Sequence, residues 1–496
     1  MKLIILHSND THGQLMPLPT ETGNLLGGYA RRATFIKQQR AAHPHLLLVD
    51  AGDFYQGTRF WHAFRGEPDI RLMNMLAYDV GALGNHDCDG GIGVLADRLR
   101  QAHFPVLCAN MTFPAGHSLT GAWQSSIVKT VGGVRVAFFS MLIDAMQLYP
   151  PEFQTAVQVE DAITVARRLV PKLRAQADVV IHLSHLGQLG DVAVAEAVAG
   201  IDLIIGGHTH LPLKEPLVIN GTPIVRAIAG GQMMGRLVLE ISAGEKVRLA
   251  DYRLVALDDS FADDPAIAAE IDRWRAKLPP ERVLGQIAVP IDTRSQIKGA
   301  GESAAGNFFT DAMRAYFGDA VDLAFVHMGT LRGDRIYPAG DFTNHDLSEY
   351  HPFDNHPMLM EISAPQLKTI LERGANALPY TVGTFLSQSG LKVVIDPSRS
   401  PLKIDPHHPR ILAPGERIVR AEFHGEPVNF SDGSRTFRIV ADGYMGRGGA
   451  GYFVLKNAKN IRKADVSGST VLKWYLENFS PVNPAPNGRI VILNSE

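Results

Sequence analysis

Thiols are scarce in this 496-residue chain: cysteine occurs twice, as Cys88 and Cys108, with no C-x-x-C pair. That excludes a disulfide framework, argues against a thiolate-built zinc site, and fits a reducing compartment. An excess of one charge is missing too. Lys and Arg number 48 against 51 Asp and Glu, a net charge of -3, which gives no electrostatic hold on DNA or RNA. No apolar run approaches the roughly 20 residues that cross a bilayer, so no membrane association is expected. Internal repeats and low-complexity tracts are absent as well. The N-terminus offers Leu3-Ile4-Ile5-Leu6 and then turns polar at His7-Ser8-Asn9-Asp10. This run is too short for a signal-peptide core and no small-residue cleavage site follows it. It reads as a buried strand and predicts a cytoplasmic protein, or a periplasmic one if residues ahead of it have been trimmed.

What is present is ordinary for a globular chain: 45% hydrophobic and 20% charged residues. The length calls for two or three domains. Short apolar runs at 3–6, 46–50, 80–83, 134–139, 179–183 and 203–205 read as strands. Helical periodicity fills 29–39, 70–76, 91–101, 161–176 and 192–198 between them. Strands alternating with helices predict a layered α/β domain. Around 263–278 the chain becomes charged and helical, with Ile267, Ile271, Trp274 and Leu278 on one face, and it stops at Pro279-Pro280. This predicts a domain over 1–260, a linking helix in 261–282 and a second domain over 283–496. The second domain has its own signals at 307–316, 323–326, 364–374 and 437–441.

Five polar clusters in the first half each follow a predicted strand, where α/β folds gather functional groups. They are Asp10-Thr11-His12-Gly13, Gly52-Asp53, Gly84-Asn85-His86-Asp87-Cys88-Asp89-Gly90, Ser184-His185-Leu186-Gly187 and Gly206-Gly207-His208-Thr209-His210. Any one could be a helix cap or a turn. Five in order, each after a strand, point instead to one convergent site. Its oxygen and imidazole groups suit Zn, Mn, Fe or Ni. An aspartate can bridge two ions roughly 3.5–4 Å apart, as in two-metal hydrolases. Cys88 sits inside the third cluster and reads as a small buried residue.

In spelling and order, these clusters resemble the D-x-H, G-D, G-N-H-D/E, S-H-x-G and G-G-H-T-H signature of calcineurin-like metallophosphoesterases. With the second domain, nearly the whole chain is similar to the 5'-nucleotidase family, which includes bacterial 5'-nucleotidase/UDP-sugar hydrolases. The resemblance implies an α/β, α+β layered protein: a four-layer metallophosphoesterase domain, a linking helix and a smaller C-terminal α/β domain. It implies two divalent ions, Mn or Zn foremost, with Co, Ni, Fe or Mg as other candidates. One ion would be held by Asp10, His12, Asp53 and His210. The other would be held by Asp53, Asn85, His185 and His208. A metal-bound water or hydroxide would attack phosphorus. His86, oriented by Asp89, would stabilise the charge developing on the phosphoryl oxygens. The expected activity is phosphate release from nucleoside 5'-monophosphates, small molecules rather than nucleic-acid polymers.

The second domain keeps part of the family pattern. Glu302 to Asn307 and Thr310 to Arg314 match it, Arg332 keeps the phosphate- or ribose-contacting arginine, and Pro352-Phe353 matches the P-F whose ring stacks on a base. Tyr444 stands in the second aromatic slot. His327 replaces an asparagine, Met328 and Thr330 replace glycines, and Ala450 replaces the aspartate that binds the nucleoside. A family arginine ahead of Glu302 is also missing, with Lys298 or Arg447 as candidate substitutes. These departures keep three other hydrolases in view: a 2',3'-cyclic-nucleotide phosphodiesterase, a UDP-sugar hydrolase and a hydrolase of a non-nucleotide ester. A thiosulfohydrolase shares the first-domain plan. A binding protein without turnover is disfavoured, since it has no need for intact ligands, His86 and Asp89.

Overall fold

The computed structural model describes all residues except 21–22, 115, 243, 295–296, 298, 354, 381, 406–409 and 494–496. Lys298, a candidate substitute for the missing arginine, therefore lies outside the described residues. The chain divides into two compact units, Met1–Pro279 and Pro280–Glu496. No helix among the described residues is long and apolar enough to cross a membrane.

The first unit is built on two six-stranded sheets. In one, Lys2–Ser8, Leu46–Asp50, Val80–Ala82 and Val106–Leu107 run parallel, and Met233–Glu240 and Arg248–Ala256 extend it antiparallel. In the other, Val134–Leu142, Val179–His185, Leu203–Gly206 and Thr222–Val225 run parallel between the antiparallel edges Ser126–Val131 and Leu217–Ile219. Side-chain alternation makes the layers. Leu3, Ile5, Leu47 and Val49 pack in one core with Phe138, Ile181, Leu183 and Ile205 of the other sheet. Ile4, Leu6 and Leu48 point the opposite way, among the helices Tyr29–Ala42, Glu67–Met75 and Gly91–Gln101. Phe139, Val180 and Ile204 face Ala162–Arg174 and Gly187–Ala197. The result is helix, sheet, sheet, helix: the four layers expected.

The helix expected as a linker is Pro265–Arg275, and it packs within the first unit. Asp264 caps it by accepting from Ala266 and Ile267 N–H. Ile267, Ile271 and Trp274 enter the same core as Phe35 and Ile70. Lys37 pairs with Asp264 and Arg71 with Glu270. The compact units part between Pro279 and Pro280, just past the end of this helix.

The second unit centres on a five-stranded sheet in the order Leu386–Ser389, Leu323–His327, Thr436–Ala441, Met358–Ser363 and Lys459–Lys463. The helices Ala304–Phe317 and Gly468–Phe479 pack together beside it, sharing one core with the sheet. A four-stranded sheet, Glu426–Pro427, Ile418–Phe423, Leu391–Ile395 and Ile490–Ile492, completes the unit.

Candidate metal centre

The five clusters converge at the C-terminal ends of the parallel strands. Three follow strand ends as expected, and the fifth begins on the last strand residue, Gly206. The fourth differs: its strand runs through His185, because Ser184 and His185 continue the parallel pairing with Met141 and Leu142. His185 thus projects from the last rung of a strand rather than from a loop. The loops are tied by backbone bonds: Asp10 N–H donates to Gly52 O, His12 N–H to Asp53 O and Gly230 N–H to Asp10 O, at 2.8–3.0 Å. Asp10, His12, Asp53, His208 and His210 all hold left-handed φ, between 49° and 70°. That conformation costs a non-glycine residue about 1–2 kcal/mol, and such strain gathers at functional sites.

Two groups of side chains result, and they share one residue. Ligand atoms of Asp10, His12, Asp53 and His210 all lie within 4.8 Å of one another, as do those of Asp53, His185 and His208. Asn85 joins the second group, its Oδ1 lying 2.9 Å from His208 Nδ1. His12 Nδ1–H donates to Gln56 O at 2.9 Å and His185 Nδ1–H to Ala51 O at 2.7 Å. Carbonyls only accept, so these bonds leave each Nε2 as a lone pair aimed into the site. His12 Nε2 and His210 Nε2 lie 3.0 Å apart. Asp53 Oδ2 and His185 Nε2 are 3.1 Å apart and buried, yet neither has a hydrogen bond. Convergent carboxylate oxygens and imidazole nitrogens, Asp53 Oδ2 and His185 Nε2 among them without a hydrogen bond, are the donor set divalent cations take up.

The electrostatics agree. Burial opposes the Asp53 charge, but the imidazoles of His185, His86 and His12 outweigh it and hold the carboxyl well below the usual range. Asp10 is pushed up to about 6 by burial, against the pull of His185. Burial lowers His185, but Asp53 and Asp10 raise it further, to about 10.

His86 stands beside the two groups. Its backbone N–H donates to Asp53 Oδ1 at 2.8 Å, its Nδ1–H donates to Asp89 Oδ2 at 2.7 Å, and its ring lies edge-on to that of His12, centres 5.5 Å apart. Asp87 is turned the other way. Its carboxylate accepts from Asp53 N–H, Phe54 N–H and Gly84 N–H at 2.8–3.1 Å. Asp191 lies buried beneath His185, accepting from Ser184 Oγ and facing Arg226. The sequence reading missed both roles. Asp87 stood inside one of the five clusters, whereas Asp191 shares its helix with Glu196 and nothing in the sequence singles it out. Cys88 is fully buried in the apolar core and burial pushes its thiol up, so it is no ligand.

In the second unit the structure anchors the expected residues in two places. The Arg332 guanidinium lies 5.4 Å from the centre of the Phe353 ring, which also meets His351. The His327 ring sits 5.3 Å from that of Tyr444. His327 Nδ1–H donates to Gly383 O at 3.1 Å, its Nε2 pairs with Thr330 Oγ1 at 2.9 Å, and Asp442 Oδ2 is 3.9 Å away. Burial lowers the His327 pKa. Arg447 is exposed at the surface of the Gly-rich loop.

Two family profiles match the chain: calcineurin-like phosphoesterase over 3–212 and the 5'-nucleotidase C-terminal domain over 283–457. The chain is 29% identical to 5'-nucleotidase of Bos taurus, the alignment covering 99% of this chain and 90% of that protein. Among solved structures, a 5'-nucleotidase precursor from Thermus thermophilus is 27% identical with a TM-score of 0.87, and all of both chains is covered. A sulfate thiohydrolase from Thermus thermophilus shares the fold at 20% identity and a TM-score of 0.80, covering 100% of this chain and 97% of the other.

Proposed function

Because this chain belongs to the 5'-nucleotidase family and carries a calcineurin-like phosphoesterase domain, we propose that it releases phosphate from nucleoside 5'-monophosphates with two divalent ions, Mn or Zn foremost. The observation that carries the reading is the pair of ligand groups sharing Asp53. Asp10, His12, Asp53 and His210 would hold one ion, and Asp53, Asn85, His185 and His208 the other. When bound, the ions lower the pKa of water toward neutrality and neutralise charge on the phosphoryl group.

The chain's own residues do the rest. His86 Nε2 donates to a phosphoryl oxygen as charge builds there, and Asp89 fixes the orientation of its ring. The tie from His86 N–H to Asp53 Oδ1 keeps that donor in register with the ligands. In the second unit, Phe353 and Tyr444 offer ring faces to a base, each worth roughly 1–3 kcal/mol by stacking. Arg332, His327 and Arg447 bind the polar part of the nucleotide.

The test is phosphate release from 5'-AMP, other 5'-mononucleotides, a 2',3'-cyclic nucleotide, a UDP-sugar and p-nitrophenyl phosphate. The diester and anhydride substrates need a coupled phosphatase, and His86→Ala serves as control. Turnover of 5'-mononucleotides that stops with chelation and in the variant supports the reading. Turnover of p-nitrophenyl phosphate alone would sink the nucleotide part and leave the phosphoesterase part standing.

A further inference from the structure

Arg373 is a half-buried cation with no carboxylate of its own. It sits in the last turn of the helix Ala364–Ala375, and its Nε–H donates to Ala450 O at 2.9 Å. Its guanidinium lies 5.8 Å from the centre of the Tyr452 ring. Among the described residues no acid forms an ion pair with it, and burial lowers its pKa with only the Tyr452 and Tyr444 hydroxyls acting in its favour. Its sequence neighbour Glu372 is committed elsewhere, accepting from Arg417 and Ile418 N–H at 3.1 Å. Taking a charge out of water without a partner is costly, so an arginine held this way calls for an anion.

The surroundings are built to present it. The Gly448–Gly451 loop folds back through left-handed φ at Gly448, Ala450 and Gly451. A Cβ on Gly451 would meet Arg373 Nε at 2.4 Å and Nη2 at 2.9 Å, so the guanidinium lies flat on bare backbone. Tyr444 lies against the same loop, since a Cβ on Gly449 would come 2.6 Å from its ring. Arg373 and Arg447 both act on the Tyr444 hydroxyl, and Arg332 and Arg373 both act on His327. The charges of Arg332, Arg373 and Arg447 thus reach the His327–Tyr444 pair. The carboxylate acting on both is Asp442, which is buried and accepts from Met445 N–H.

From this we propose that Arg373, backed by Arg447, is an anion subsite beside His327 and Tyr444, and that the substrate carries a second anionic group, a phosphate or carboxylate, besides its scissile phosphoester. A fork of guanidinium donors fits either anion in bidentate fashion. The substrate half of this assignment rests on the nucleotidase reading, and the anion subsite does not. The competing role for Arg373 is to hold the loop through Ala450 O. Arg373→Gln keeps a donor for that carbonyl and removes the charge, whereas Arg373→Lys keeps the charge.

The first readout is calorimetric titration of metal-stripped full-length protein with inorganic phosphate. We expect saturable binding that is abolished in Arg373→Gln and partly kept in Arg373→Lys. No binding, or equal binding in wild type and Arg373→Gln, overturns the subsite whether or not nucleotides are turned over. The second readout is kcat/KM on two pairs in the metal-loaded enzyme. Adenosine 3',5'-bisphosphate against 5'-AMP places the second anion on the sugar, and orotidine 5'-monophosphate against UMP places it on the base. One ratio should favour the doubly anionic member by about tenfold, the worth of one charge-assisted hydrogen bond, and should fall toward one in Arg373→Gln. Both ratios at or below one in wild type, or a ratio unchanged in Arg373→Gln, overturns the second anion. If no nucleotide is hydrolysed although phosphate still binds through Arg373, the nucleotidase reading fails and the subsite stands.

Discussion

The Asp87 carboxylate sits behind the ligands, and three backbone N–H groups converge on it from two loops. Those loops carry Asp53 and Asn85, so the position of the shared ligand relative to the second group passes through Asp87. A carboxylate accepts on both oxygens, whereas an amide must turn its NH2 toward one of these N–H groups. Asp87→Asn should therefore cost about 1–3 kcal/mol through one unsatisfied buried donor. It should also weaken metal affinity by roughly 10–100-fold, as losing a residue that orients ligands does. Metal content per chain after dialysis against a metal buffer, read beside far-UV circular dichroism, checks this. Full occupancy in the variant would refute the positioning role. Cys88, the next residue, makes the contrast. Cys88→Ser buries a hydroxyl in the core at a cost of about 1–3 kcal/mol and should leave metal content unchanged.

At the level of elements, legibility followed burial. The central parallel strands are covered on both faces, so they stand in the sequence as continuous apolar runs. Leu46–Asp50 and Gly91–Gln101 coincide with their expected bounds, and the others differ by a few residues at their ends. The strands absent from the sequence reading lie at sheet edges or pair antiparallel. Arg248–Ala256 has no fully buried residue, and Ser126–Val131 carries Ser, Lys and Thr among its six, so neither shows an apolar run. The ligands were legible because Asp, Asn and His cluster by type. Asp191 and Arg373 were not, since their meaning depends on which backbone groups and charges the tertiary fold brings to them.

His182, on Val179–His185, carries a consequence for pH. It is fully buried, stacks on Phe139 with ring centres 4.5 Å apart, and has no hydrogen bond to either ring nitrogen. Burial lowers its pKa from 6.5 to about 3. The unfolded chain thus binds a proton below pH 6.5 that the folded chain refuses until about pH 3. Its neutral form contributes stability above pH 6.5, and that contribution is lost as pH falls through this window. At pH 5 the loss is about 2 kcal/mol. His182→Leu should remove this part of the acid sensitivity, and urea titrations at pH 7 and pH 5 read it. An equal loss between the two pH values in both proteins would mean that His182 is protonated in the fold.

At the scale of the whole molecule, each unit has its own apolar core. One cluster is drawn wholly from 284–492, and three others lie wholly within 1–278. Among the described residues, every candidate metal ligand lies in the first unit. A ligand that binds the native state alone stabilises the unit that holds it, by about 2.7 kcal/mol at a free concentration one hundred times Kd. For a unit of this size that is a rise of roughly 5–10 °C in Tm. Scanning calorimetry of metal-stripped protein should resolve two transitions, and Mn or Zn should move one of them by this amount. In Asp53→Asn the shared carboxylate is gone, both ligand groups are broken, and the shift should vanish while the other transition stays in place. Equal movement of both transitions would place cation binding in both units and remove the basis for assigning the ions to the Asp53 cluster.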